Sequence, residues 1–140
     1  MLRLKAFVTL LPLLASAALV KAEDLPAPDL AKQIIERQLA AFAKDDALEA
    51  YSYAAPSIKQ IFPDPRIFMA IVEAQYPAVY RHRSFEFGPS REKEGGLAQA
   101  VTFIDGDGQV WTALYSLEKE EDGHWTITGC AIAKSQEKSL

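Results

Sequence analysis

The hydrophobic period of the chain changes once, near Pro77, and that change limits the folds open to it. Before Pro77, apolar residues recur at three- and four-residue spacing, as they do along one face of a helix. After it they fall into β-rich runs separated by turns. Helices first and strands afterwards predicts an α+β fold, because parallel βαβ units would alternate the two. At 140 residues the chain is one domain's worth.

Asp29 is the expected N-cap of a first helix over Leu30–Lys44, with Ile35, Leu39 and Phe42 at i, i+4 and i+7 as its apolar stripe. Lys32, Glu36, Arg37 and Lys44 mark the wet side. Asp46, with Glu49 three positions on, starts a short second helix through Ala54. Pro56 opens a turn carrying Ile58, Ile61 and Phe62. Asp64 then caps a helix that starts at Pro65, runs to Gln75 and stops before Pro77. Strands are expected at Val79–Phe87, Leu97–Asp105, Gln109–Glu118 and His124–Lys134, about four in a curved antiparallel sheet. Asp105–Gly108 and Glu121–Gly123 form the turns, and Gly88–Gly96 a charged connection.

Along the third run Trp111, Ala113, Tyr115 and Leu117 face one way, and Val110, Thr112 and Leu114 the other. A sheet covered on one side alternates more sharply than this. The pattern predicts a second cover, of which a homodimer partner is the simplest; a sheet curled over itself is the alternative.

Residues 1–22 carry the three parts of a secretory signal. Arg3 and Lys5 form a basic start, Ala6–Val20 an apolar stretch, and Val20-Lys21-Ala22 a small-residue cleavage site, with Ala15-Ser16-Ala17 as a second candidate. An uncleaved anchor would need roughly 20 apolar residues, and Pro12 interrupts this shorter run. The expected organisation is a leader over 1–22, an extended lead-in over 23–28, one α+β domain over 29–134 and a polar tail over 135–140. Such a protein is exported, periplasmic or secreted, with no membrane attachment once the leader is cleaved. Loss of Arg3, Lys5 and Lys21 lowers the basic count from 15 to 12 against 19 acidic residues, so the formal charge moves from −4 to −7. That balance argues against nucleic acid as a partner.

Strong chemical signatures are absent from the sequence: no phosphate loop, HExxH, GxSxG or paired CxxC occurs. No cofactor and no metal is expected. Asp105 and Asp107 resemble the first positions of a calcium loop, without the distal glutamate. Cys130, the single cysteine, makes no internal disulfide and reads as a small buried hydrophobe, or else as an intermolecular disulfide or a reactive thiol. Two histidines, His82 and His124, and the Asp45–Asp46 pair supply no base-plus-donor spacing for catalysis, and capping accounts for the aspartates.

The one basic island is Tyr80-Arg81-His82-Arg83. On a strand, Arg81 and Arg83 share a face with Val79, Phe85 and Phe87, while Tyr80 and His82 lie opposite. Guanidinium groups turned toward a core need acidic partners or an anionic ligand. The candidate ligand-binding set is therefore Tyr80, Arg81, His82 and Arg83, with Trp111 and Tyr115 as possible pocket walls. The competing reading is a bulge, or a strand that begins later and leaves both arginines in solvent.

Ala41-Phe42, Asp45-Asp46, the run Ala50-Tyr51-Ser52-Tyr53-Ala54, Pro56, Ile58, Phe62, Phe68, Tyr76-Pro77 and Tyr80-Arg81 form one set of motifs. Gly108, Trp111, Tyr115 and Gly123–Cys130 form another. Over Leu30–Ala133 these resemble a bacterial family known as domain of unknown function 4864, within the nuclear transport factor 2-like, cystatin-like cone group. The resemblance implies a cone of helices on a curled sheet and assigns no activity and no catalytic residue. Three functions remain open at this point. The first is a non-catalytic binding module for a small or anionic ligand or a protein partner. The others are a cofactor-free isomerase or lyase of the cone type, and a structural homodimer with a filled cone.

Overall fold

The computed structural model describes residues 25–138, with side chains through Gln136; the expected leader lies outside the described residues. Five helices precede four strands: α1 (Ala27–Ala43), α2 (Ala47–Ser52), α3 (Pro56–Ile61), α4 (Pro65–Gln75) and α5 (Pro77–Tyr80). The strands are β1 (Ser84–Lys93), β2 (Gly96–Ile104), β3 (Gln109–Lys119) and β4 (Trp125–Lys138). They form one antiparallel sheet in the order β1-β2-β3-β4, so each strand pairs with its sequence neighbour. The fold is α+β.

Helix starts follow local chemistry. Asp46 caps α2 by accepting from Glu49 N, and Asp64 caps α4 by accepting from Arg66 N. The start of α1 differs from expectation. Pro26 is its N-cap, its carbonyl accepts from Asp29 N and Leu30 N, and Asp29 sits in the first turn. Pro28 fits there because a first-turn residue has no intrahelical partner for the N–H that proline lacks.

The largest correction concerns the expected strand over Val79–Phe87. Pro77 ends α4 and also opens a further helical turn, which buries Ala78, Val79 and Tyr80; β1 begins only at Ser84. Arg81 and Arg83 therefore share no strand face with the core, and both are exposed. The expected connection over Gly88–Gly96 is mostly strand. β1 continues through a bulge, where the register passes from Phe87↔Val101 to Ser90↔Gln99, leaving Glu94 and Gly95 as the turn. Pro89 and the charges of Arg91, Glu92 and Lys93 blunt this edge against pairing with another chain. At the other end β4 runs on to Lys138, into the expected polar tail; Gln109 Nε2 donates to Ser135 O at 3.0 Å and ties the extension to β3.

The core lies between α1 and the inner sheet face. Ile35, Leu39 and Phe42 pack toward Leu97, Val101 and Phe103 of β2 and Ala113, Tyr115 and Leu117 of β3. α2 and α4 close over α1's far end, where Phe42, Phe68, Tyr51 and Tyr80 make a chain of ring contacts at 5.6 to 6.4 Å. A carbon added at Gly96 would lie 2.8 Å from Leu117 O, a contact that only a backbone shift relieves. Gly96→Ala is accordingly expected to destabilise the domain by about 1–3 kcal/mol. Gly106→Ala, where a Cβ meets nothing within 4 Å, should not. Thermal unfolding of the two variants checks this; equal melting temperatures would contradict it.

Candidate functional site

Only Tyr115 of the six candidate residues lines the main cavity, a space of about 260 Å³ between the helices and the outer half of the sheet. The β-side wall is Tyr115 with Ile127–Cys130. The helical wall is Phe42 and Gln38 of α1, Ile58 of α3 and Phe68, Ile71 and Val72 of α4. The lining is apolar apart from a few groups. Gln38, although buried, spends its amide on Ala50 O at 3.1 Å, which holds α2 against α1.

Tyr115 differs from Gln38. It is fully buried, and its hydroxyl has no oxygen or nitrogen partner; the Cys130 thiol, a weak donor and acceptor, is the polar group beside it. The strand register sets Gln99, Tyr115 and Cys130 in one row across the inner face, and Gln99 Oε1 is likewise unpartnered. Burial pushes the Tyr115 phenol well above its ordinary range, with the Cys130 thiol alongside. Burial also pushes the Cys130 thiol up to about 12. The thiolate is therefore scarce at neutral pH and the thiol is not a poised nucleophile. Buried polar atoms are nearly always satisfied, and each exception costs about 1–3 kcal/mol.

The remaining candidates are placed elsewhere. Tyr80 and Arg81 converge on Asp45: the Tyr80 hydroxyl and Arg81 Nη2, the latter at 2.6 Å, both donate to Asp45 Oδ1. Arg81 Nη1 also donates to Phe42 O at 3.0 Å, and its guanidinium lies 4.1 Å from the centre of the Tyr80 ring. Asp45 has φ 55°, a left-handed conformation open to Asp. This cluster joins the end of α1 to α5 and gives the Arg81 guanidinium an acidic partner. Asp45, read from sequence as a cap neighbour, is its hub. His82 packs its ring edge-on to Phe85 at 5.3 Å, with Nδ1 2.9 Å from Val79 O. Trp111 Nε1 donates to Asp105 Oδ2 at 2.8 Å and secures the β2–β3 turn. Arg83 is exposed, and its backbone N–H joins Ile104 O at 2.7 Å.

Sequence reasoning missed the helical wall of the cavity. One signal was legible: Gln38 lies three residues after Ile35 and four before Phe42, a polar side chain on the apolar stripe. The described residues contain no group of three His, Cys, Asp or Glu side chains that could hold a metal ion, and no helix long and apolar enough to cross a membrane.

The family model described as Domain of unknown function (DUF4864) matches residues 27–140, which spans every element described above. The chain belongs to this family. No curated protein matches it. The family assignment carries no activity, so the cavity is the family member's best guide to function.

Hydrogen bonds from Tyr80 and then Arg81 hold the Asp45 carboxyl below its usual range. A depressed carboxylate stabilises the fold above its unfolded value of about 3.9, and that contribution is lost as pH falls through the lower folded value. Wild type should therefore lose melting temperature more steeply than Asp45→Asn as pH drops below about 4. Parallel slopes in thermal melts over that range would contradict the role given to this cluster.

Proposed function

We propose that this protein is a non-catalytic binding module for a small, mostly apolar ligand that carries one hydrogen-bonding oxygen. The observation that carries the reading is an apolar cavity with Tyr115 in its wall, whose buried hydroxyl lacks an oxygen or nitrogen partner and is covered on the cavity side. A protein gains nothing in stability from such a group, and phenylalanine would fill the same space without the desolvation cost. An oxygen-bearing ligand that displaces this cover supplies the missing partner while its hydrocarbon part covers Phe68, Ile71 and Val72. Arg81 and Arg83 have no part in this cavity, so the reading favours neutral ligands over anions there.

Tyr115→Phe is expected to raise the stability of the unliganded protein by about 1 kcal/mol and to weaken binding of a cyclic ketone or alcohol such as cyclohexanone or cyclohexanol. Ile71→Trp, which narrows the cavity from its helical wall, should abolish binding of both. Calorimetric titration with those two probes, alongside thermal melts, tests the pair of effects. If Tyr115→Phe lowers stability and leaves affinity unchanged, the reading fails.

A second observation supports a homodimer through the sheet. The outer face carries Ala98, Ala100, Thr102 and Ile104 of β2, beside Val110, Thr112 and Leu114 of β3 and Ala131 and Ala133 of β4. Leu114 is 49% exposed at the middle of this face, cross-strand from Ala100 and Ala131. A continuous small-residue and aliphatic surface of this kind calls for a cover. A twofold partner meets it with the same surface. Wild type should run as a dimer by light scattering, and Leu114→Lys as a monomer with an intact fold; a monomeric wild type at tens of micromolar would refute the dimer. Export, with loss of residues 1–22, completes the proposal and rests on the basic start, apolar stretch and small-residue site of the sequence.

A further inference from the structure

A second concavity, separate from the main cavity, opens between α1, the end of α2 and the β3–β4 turn, with a volume of about 350 Å³. Leu30, Gln33, Ile34 and Arg37 lie along one face of α1 at helical spacing and form its floor; Ser52 and Tyr53 form one side, and His124 and Trp125 the other. The walls are fixed to one another. Ile127 N donates to Tyr53 O at 2.9 Å and Ala55 N to Ile127 O at 2.8 Å, which pins the end of α2 to the first residues of β4. Gly123, at φ 92°, makes the turn that brings His124 and Trp125 over α1.

The acids beside this groove make hydrogen bonds while keeping their charge, and several of its donors are unengaged. Glu49, just outside it, accepts from the Tyr53 hydroxyl at 3.2 Å, and Asp122 accepts from the backbone and ring of His124. Arg37 makes no ion pair, and neither the Gln33 amide nor the Trp125 indole N–H makes a hydrogen bond, among the described residues. None of the groove's lining residues is a carboxylate. Among the described residues the groove therefore presents a guanidinium without an ion pair, two further donors without hydrogen bonds, two aromatic rings and an aliphatic floor, with the Glu49 carboxylate beside Tyr53.

We infer that this groove is a binding site for a small ring-bearing carboxylate. The Arg37 guanidinium forks the carboxylate through two parallel N–H groups, a match that a lysine ammonium would not make. The ring of the ligand lies on Leu30 and Ile34, between Tyr53 and Trp125. The volume falls in the range usual for small-molecule sites. This site is independent of the cavity at Tyr115, and the two ligand classes differ in charge.

The test uses benzoate as probe, followed through the Trp125 indole N–H resonance and by calorimetry, with benzyl alcohol and acetate as controls. Benzoate is expected to bind saturably at millimolar concentration, and each control at least about tenfold more weakly, since one lacks the charge and the other the ring. Arg37→Gln should cost at least about tenfold in benzoate affinity with an unchanged melting temperature, and Arg37→Lys should recover only part of it. Tyr115→Phe should leave benzoate affinity unchanged, which separates this site from the main cavity. Absence of a saturable Trp125 shift, equal affinity in Arg37→Gln, or benzoate binding lost in Tyr115→Phe would each overturn the inference.

Discussion

Everything that concerns ligands in this fold depends on one short contact between its two halves. Ala54 pairs with Ile127 as an isolated parallel bridge, through Ile127 N to Tyr53 O and Ala55 N to Ile127 O. The bridge fixes the first residues of β4 beside the link between α2 and α3. Downstream of it, Ile127–Cys130 and Ile58 wall the apolar cavity; upstream, Trp125 and Tyr53 wall the groove over α1. Buried backbone groups at such a junction must be satisfied, and here each half satisfies the other. Neither space keeps its shape if β4 slides against the helices.

The inner face of the sheet carries a cost in its middle. Phe103, Val101, Leu97, Ala113 and Leu117 surround a row of Gln99, Tyr115 and Cys130, two of whose polar atoms go unpartnered. Gln99 is partly engaged, through Nε2 to Gly88 O at 2.9 Å and to Ala100 O at 2.8 Å, and so supports the strand where β1 bulges. The Tyr115 hydroxyl has only the Cys130 thiol beside it, a weak partner. A stability cost without a structural return is what a binding site asks of its scaffold. The Asp45, Tyr80 and Arg81 cluster is the opposite case: its charges are mutually satisfied, and its task is to hold α5 on the end of α1.

The change of period at Pro77 was enough to read the α+β class, the four strands and the shared face of Trp111, Ala113, Tyr115 and Leu117, but not which face turns inward. Aspartate caps at Asp46 and Asp64 were legible because capping is a local interaction. What failed was the stretch from Pro77 to Ser84, because a proline that ends one helix equally well opens another, and only tertiary packing of Val79 and Tyr80 decides between them. The basic island there suggested an anion site; Asp45, 36 residues upstream of Arg81, answers it, and that pairing is set by the meeting of α1 with α5 rather than by spacing. Arg37 illustrates the same limit from the other side. It reads as one residue of a wet helical face, and acquires significance only when the β3–β4 turn arrives opposite.

The central claim is that the space beside Tyr115 is a ligand cavity and not a packing defect. Methyl-resolved NMR during titration with cyclohexanone tests it most directly. The account predicts saturable shifts concentrated on Ile58, Ile71, Val72, Val79, Ile127 and Thr128, the methyl-bearing walls of the cavity. Shifts scattered over the surface, or none at saturating probe, would contradict it.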